Sequence, residues 1–232
     1  MIGILVQLCL SWLIIRLYNN GSLSVLGLYP SRRRLSAFLL FFFVTALICA
    51  SGFVLKIYVG NQQWRLNPAL SASLIFEGFC WNLKSVLFEE LIFRGVLLYI
   101  LIKRLGAARA IIVSAIAFGI YHWFSFGVVG NPVQMIIVFF ITGCMGLLLA
   151  YGYAKSFSLY IPIAIHLGWN LTQVFSFSGG PIGNGIFIPV GSGDFRTDSY
   201  LLFFLVTFSP LILALGINWW LIKKRPQSEP GC

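Results

Sequence analysis

The sequence predicts an all-α fold, a polytopic transmembrane helix bundle of about seven spans, and three observations carry that expectation. The 232 residues are 59% hydrophobic and only 9% charged, whereas soluble domains run near one quarter charged. The apolar residues gather in runs long enough to cross ~30 Å of hydrocarbon, which takes about 20 residues. The basic residues fall mostly between those runs, where they orient spans and meet anionic lipid. A single soluble core would leave several of the runs uncovered, so the bilayer has to cover them.

The expected spans, in order, are 1–17, 35–58, 74–102, 107–124, 131–153, 157–175 and 199–222. The first run, Met1 to Ile15, has no basic leading segment and reads as an uncleaved span rather than a signal peptide. Connections are short except 176–198, which holds six glycines, Pro181 and Pro189. Its apolar stretch Ile186-Phe187-Ile188 is too short to span anything; the segment reads as a mobile cover whose apolar edge can pair with an extended substrate strand, with an ordinary solvated linker as the bland alternative. No repeat or low-complexity tract divides the chain, giving one membrane-embedded domain, 1–232, with a motif-bearing core at 74–175.

Lys and Arg number 16 against 6 acidic residues. In a soluble protein that excess would suggest nucleic acid; in this setting no nucleic-acid partner is expected, and membrane lipid is. The clusters Arg32-Arg33-Arg34, Lys103-Arg104 with Arg109, and Lys223-Lys224-Arg225 alternate with connections holding only Arg65 and Arg196, while Lys155 sits alone in its own. Cytoplasmic loops carry the basic excess, which places the N-terminus outside a cell membrane and the C-terminus in the cytoplasm. Cys9, Cys49, Cys80, Cys144 and Cys232 are scattered without CxxC spacing and indicate neither disulfides nor a zinc knuckle. Cys232 is the last residue, so the chain does not itself end in a Cys-a-a-X box.

Ionisable side chains at bilayer depth are costly and mark functional positions by default. Glu89, Glu90, Arg94, His122 and His166 all fall inside expected spans. Counting at about 1.5 Å per residue from the nearest basic anchors Lys103, Arg109 and Lys155 brings Glu89, His122, His166 and Asn170 to one level, roughly 16 to 23 Å from the inner boundary. Glu90 and Arg94 are spaced i,i+4 and can pair. Glu89 points about 100° away, and desolvation beside a like charge should raise its pKa toward that of a general base. His166 and Asn170 are also i,i+4 and can both donate to a developing oxyanion. Phe118, one turn before His122, reads as packing. A purely structural Glu90–Arg94 pair, and histidines that merely bridge helices, are the bland readings of the same residues.

The stretches Glu89-Glu90-Leu91-Ile92-Phe93-Arg94, Phe118-Gly119-Ile120-Tyr121-His122 and His166-Leu167-Gly168-Trp169-Asn170 resemble the EExxxR, FxxxH and HxxxN motifs of the CPBP family of intramembrane proteases. That family takes in type II CaaX prenyl endopeptidases and the bacteriocin-processing or self-immunity proteins of the Abi group. All three motifs match, in order and on separate expected spans. The resemblance implies that Glu89, with His122, activates a water for attack on a peptide carbonyl. It implies that His166 and Asn170 stabilise the oxyanion, and that Glu90 and Arg94 hold the helix and set the charge of the site. The substrate would be a peptide or protein, lipidated or not. The family is described both as glutamate-type without cofactor and as metal-dependent, with zinc at Glu89, His122 and His166 as the alternative. A non-catalytic immunity or scaffold protein using the same pocket for binding is the other function class, and a proton-relaying transporter a third.

Overall fold

A computed structural model describes residues 2–179, 183, 185–191, 195 and 197–229. Among them lie eight α-helices: α1 (Ile2–Asn19), α2 (Arg32–Gly60), α3 (Ala72–Phe93), α4 (Val96–Leu105), α5 (Ala107–Ser125), α6 (Pro132–Ser156), α7 (Tyr160–Asn170) and α8 (Tyr200–Lys223). A single turn of 3₁₀ helix, Leu23–Leu26, follows α1, and a π-helical stretch, Leu171–Ser176, continues α7. The architecture is all-α and the protein is a multi-pass membrane protein. Five helices, α1, α2, α5, α6 and α8, are long and apolar enough to cross a membrane by length and composition. Large apolar side chains on them, such as Leu47, Ile112, Phe140 and Leu205, are exposed, as lipid-facing residues must be.

The other two expected spans are not continuous α-helices. The run 74–102 breaks after Phe93 and resumes as α4 at Val96, and the run 157–175 is the short α7 followed by the π stretch. The depth count for Glu89, taken along one helix back from Lys103, therefore crosses a break, and the counts for His166 and Asn170 cross the turn between α6 and α7. Only the count for His122 runs along an unbroken helix, α5.

The Cα positions cluster into two compact units. The first comprises residues 1–38, 87–163 and 219–232, the second 39–86 and 164–218. In the first, α5 and α6 pack antiparallel through small residues: a Cβ on Gly146 would lie 3.2 Å from the Ala115 Cα, and one on Gly119 2.8 Å from the Phe139 ring. Small residues let membrane helices approach closely enough for dispersion to hold them. Asn131 caps α6 by accepting from the Gln134 amide, with Pro132 at the first helical position, where its missing N–H costs nothing. The turn Ser22–Gly27 is stitched to the corner between α6 and α7. Tyr153 Oη donates to the Val25 carbonyl at 2.7 Å, Ser158 Oγ to that of Gly27 at 2.9 Å, and the Leu159 amide to that of Leu26 at 3.0 Å. Gly27, at φ 59°, occupies the left-handed region and abuts the Phe157 carbonyl, so no side chain fits there.

In the second unit Gly168 of α7 approaches the Phe42 carbonyl of α2, where a Cβ would come within 2.6 Å. Asn218 of α8 donates to Thr45 Oγ1 at 3.0 Å. Two short strands, β1 (Trp64–Leu66) and β2 (Phe187–Pro189), pair antiparallel with Arg65 opposite Ile188. The apolar stretch expected as a free edge is thus already paired on one side. Behind the ribbon Phe53 stacks on Phe177 at 4.0 Å between ring centres, with Trp64 edge-on to both. Residues 180–182, 184, 192–194 and 196 of the connection, including Pro181, lie outside the described residues, so the expected mobile cover is described only in part.

Candidate active site

The first unit holds four of the six expected site residues. Glu89 and Glu90 occupy the last turn of α3, and Arg94 follows it directly. Burial is complete for Glu90 and Arg94, and Glu89 and His122 are 8% and 7% exposed.

Arg94 Nη1 donates to Glu90 Oε1 at 3.1 Å. The i,i+4 spacing makes the pair local, and the surroundings make it buried. The Arg94 guanidinium lies over the Phe118 ring, 4.0 Å from its centre, a cation–π contact of about 2 kcal/mol when water is excluded. Arg94 Nη2 reaches toward the carbonyl of Gly146 at 3.5 Å, which the lack of a Cβ on that residue leaves accessible. Losing one partner of such a pair would strand a charge, at a cost of about 3–5 kcal/mol.

The break after Phe93 has a local cause. A Cβ on Gly95 would collide with the Leu91 carbonyl oxygen, so only glycine permits this close turn of the backbone. The carbonyl of Phe93, at the helix end, accepts from Ser114 Oγ at 2.8 Å, which satisfies an acceptor that α3 has left without an intrahelical donor. Ser114 and Gly95 are structural parts of the site that the sequence reading passed over. The available signal was Arg94-Gly95 within an apolar run, since glycine commonly follows helix ends.

His122 sits in the last turn of α5. Its Nδ1 lies 2.7 Å from the Phe118 carbonyl, and since a carbonyl can only accept, Nδ1 carries a proton. The other ring nitrogen, Nε2, stands 3.9 Å from Glu89 Oε2. The imidazole is wedged among Phe118, Tyr121 and Phe126, with ring centres 4.4 to 5.3 Å away, so its orientation is set by packing as well as by the hydrogen bond. Phe118, read from sequence as packing, also fixes the histidine tautomer through its backbone.

His166 and Asn170 belong to the second unit. They are one turn apart on α7; His166 is 7% exposed and Asn170 is half-buried. Asn170 is the last α-helical residue before the π-helical stretch Leu171–Ser176, an irregularity often found at functional sites. Thr172 Oγ1 donates to the Gly168 carbonyl at 2.8 Å within that transition. Among the described residues no group of three or more His, Cys, Asp and Glu side chains is arranged to hold a metal ion.

Residues 71–172 match the family model described as Type II CAAX prenyl endopeptidase Rce1-like. The matched segment contains all three motifs, a similarity consistent with the CPBP family. At family level this supports an endopeptidase, with a peptide or protein as substrate. No curated protein and no solved structure matches the chain.

Proposed function

We propose, taking residues 71–172 as an Rce1-like domain, that this chain is an intramembrane endopeptidase in which Glu89 and His122 activate a water. The observation that carries the reading is the 3.9 Å separation of Glu89 Oε2 and His122 Nε2, with Nδ1 already engaged by Phe118. A water placed off the line between them reaches both at about 2.8 Å. It donates one O–H to the carboxylate and one to the imidazole, so an oxygen lone pair is left for the peptide carbonyl. Glu89 takes the proton as the C–O bond forms and returns it to the departing amine as the C–N bond breaks.

The surroundings support that division of labour. Arg94 pairs with Glu90 at 3.1 Å, and we assign proton transfer to Glu89, which faces His122. To His166 and Asn170, one turn apart on α7, we assign stabilisation of the oxyanion by side-chain donation. All six residues stand at positions matching the family's motifs. The chemistry requires only side chains of this chain, and we assign no metal to it. The substrate class is a membrane-associated peptide, and the family description favours one with a prenylated cysteine near its C-terminus. The basic clusters support an orientation with the N-terminus outside and the C-terminus in the cytoplasm.

The test is cleavage in reconstituted vesicles of matched peptides with and without a prenyl group, by wild type and Glu89→Gln. Product from wild type alone is expected. Equal product from both proteins would remove Glu89 from the chemistry.

A further inference from the structure

Helix α1 lies outside the segment that matches the family model, residues 71–172, and one of its side chains reaches the helix that carries Glu89. Ile4, Ser11 and Ile15 are the buried residues of α1. Gln7, half-buried, falls between them on the same face at helical spacing. Its Nε2 donates to the Phe88 carbonyl at 3.3 Å. One turn earlier Gly3 packs on the Phe88 ring, where a Cβ would stand 3.4 Å away. Within the first compact unit, α1 therefore grips Phe88 by its ring and by its backbone.

Packing does not account for an amide at this position. Gln7 Oε1 is buried without a hydrogen-bond partner among the described residues, and an orphaned acceptor is destabilising. A methionine would fill a similar space with no such acceptor to strand. What glutamine supplies is the Nε2 donor, and that donor meets the carbonyl of the peptide unit whose nitrogen belongs to Glu89. This end of α3 needs outside ties, because the helix stops at Phe93 and does not continue into α4. Ser114 Oγ holds the Phe93 carbonyl at 2.8 Å. Gln7 holds the residue directly before Glu89.

We infer that Gln7 is a positioning residue for the peptidase: its bond to the Phe88 carbonyl sets the separation of Glu89 and His122 that lets one water touch both. The inference rests on the peptidase reading above and deepens it, since it makes α1 a working part of the active site. Glu89 Oε2 and His122 Nε2 stand 3.9 Å apart, and a displacement of about 1 Å at a reacting centre can cost roughly 10²-fold in rate. With the Phe88 carbonyl untied, the turn that bears Glu89 is free to shift by such an amount while the rest of α3 stays folded.

The experiment compares the full wild-type chain with Gln7→Met, Glu89→Gln and the double variant, in vesicles with the prenylated and unprenylated peptides of the test above. Gln7→Met should lower kcat at least about tenfold and leave KM and Tm near those of wild type. In the Glu89→Gln background the same substitution should change the residual rate little, because groups that act as a unit are strongly non-additive. A role in folding alone would instead reduce both rates by the same factor, and that result would overturn the inference. Wild-type kcat in Gln7→Met beside an inactive Glu89→Gln sinks the positioning role and spares the peptidase reading. A fully active Glu89→Gln sinks the reading and the inference with it. Should no peptide be cleaved, hydrogen–deuterium exchange in detergent decides: Gln7→Met should speed exchange in 89–93 and leave α5 unchanged. Equal exchange in 89–93, or faster exchange throughout, would refute the role. If Gln7→Met does not accumulate, Gln7→Asn replaces it, with an amide one methylene short of Phe88; wild-type kcat in that variant would count against the inference in the same way.

Discussion

His122 Nε2 faces Glu89 Oε2 across 3.9 Å while the other ring nitrogen donates to the Phe118 carbonyl. That separation is too long for a direct hydrogen bond and suits a shared water. Glu89→Gln keeps the shape and removes the base, so cleavage should fall by about 10²–10⁴-fold while the melting temperature stays near that of wild type. Initial rates on a peptide in vesicles, read beside a melting curve, check both parts.

Arg94→Ala should damage the fold as well as the activity, since it leaves Glu90 buried and charged; the expected loss is about 3–5 kcal/mol. The double variant Glu90→Gln/Arg94→Met removes both charges and should recover much of that stability. Chemical denaturation of the two variants gives the comparison. A single variant as stable as wild type would show that the pair contributes little to the fold.

Gly95→Ala places a methyl group against the Leu91 carbonyl. Overpacking of this kind costs about 1–3 kcal/mol, and the strain falls beside Arg94 and two residues beyond Phe93, whose carbonyl Ser114 holds. Reduced stability together with reduced cleavage is expected, and Ser114→Ala should reproduce a milder form of both.

If Glu89 and His166 serve one reaction, their losses should not add. The double variant Glu89→Gln/His166→Ala should cleave no more slowly than the worse single variant, because groups that act as a unit are strongly non-additive. Multiplying losses would assign His166 to a separate role. Strong chelators should leave the wild-type rate intact, and stoichiometric zinc lost together with activity would reassign Glu89 to a metal-linked role.

Asn67 is buried and holds the ribbon in the second unit, donating to the Gly185 carbonyl at 2.8 Å and accepting from the Ala69 amide at 3.0 Å. Asn67→Ala leaves both backbone groups without these partners, a cost of about 1–3 kcal/mol. Limited proteolysis should then cut within 176–198 faster than in wild type; an unchanged cutting rate would show that the ribbon is held by the aromatic cluster around Phe177 instead.

The sequence by itself determined the lipid-exposed helices, because apolar composition and run length are summed along the chain and need no partner. Its spans for α1, α2, α5, α6 and α8 agree with the structure to within about three residues. The Glu90–Arg94 pair was legible for the same reason, since four residues make one helical turn. Tertiary structure alone decided the rest. The break at Arg94-Gly95 lies inside an unbroken apolar run, and hydropathy does not register that a missing Cβ lets the backbone close on Leu91. The tautomer of His122 depends on which carbonyl its ring meets, and the partner of Glu89 on how α3 and α5 lie against each other. Gln7 meets the Phe88 carbonyl because α1 packs against the end of α3, and a hydrogen bond between residues so distant in the chain leaves no periodic trace in the sequence.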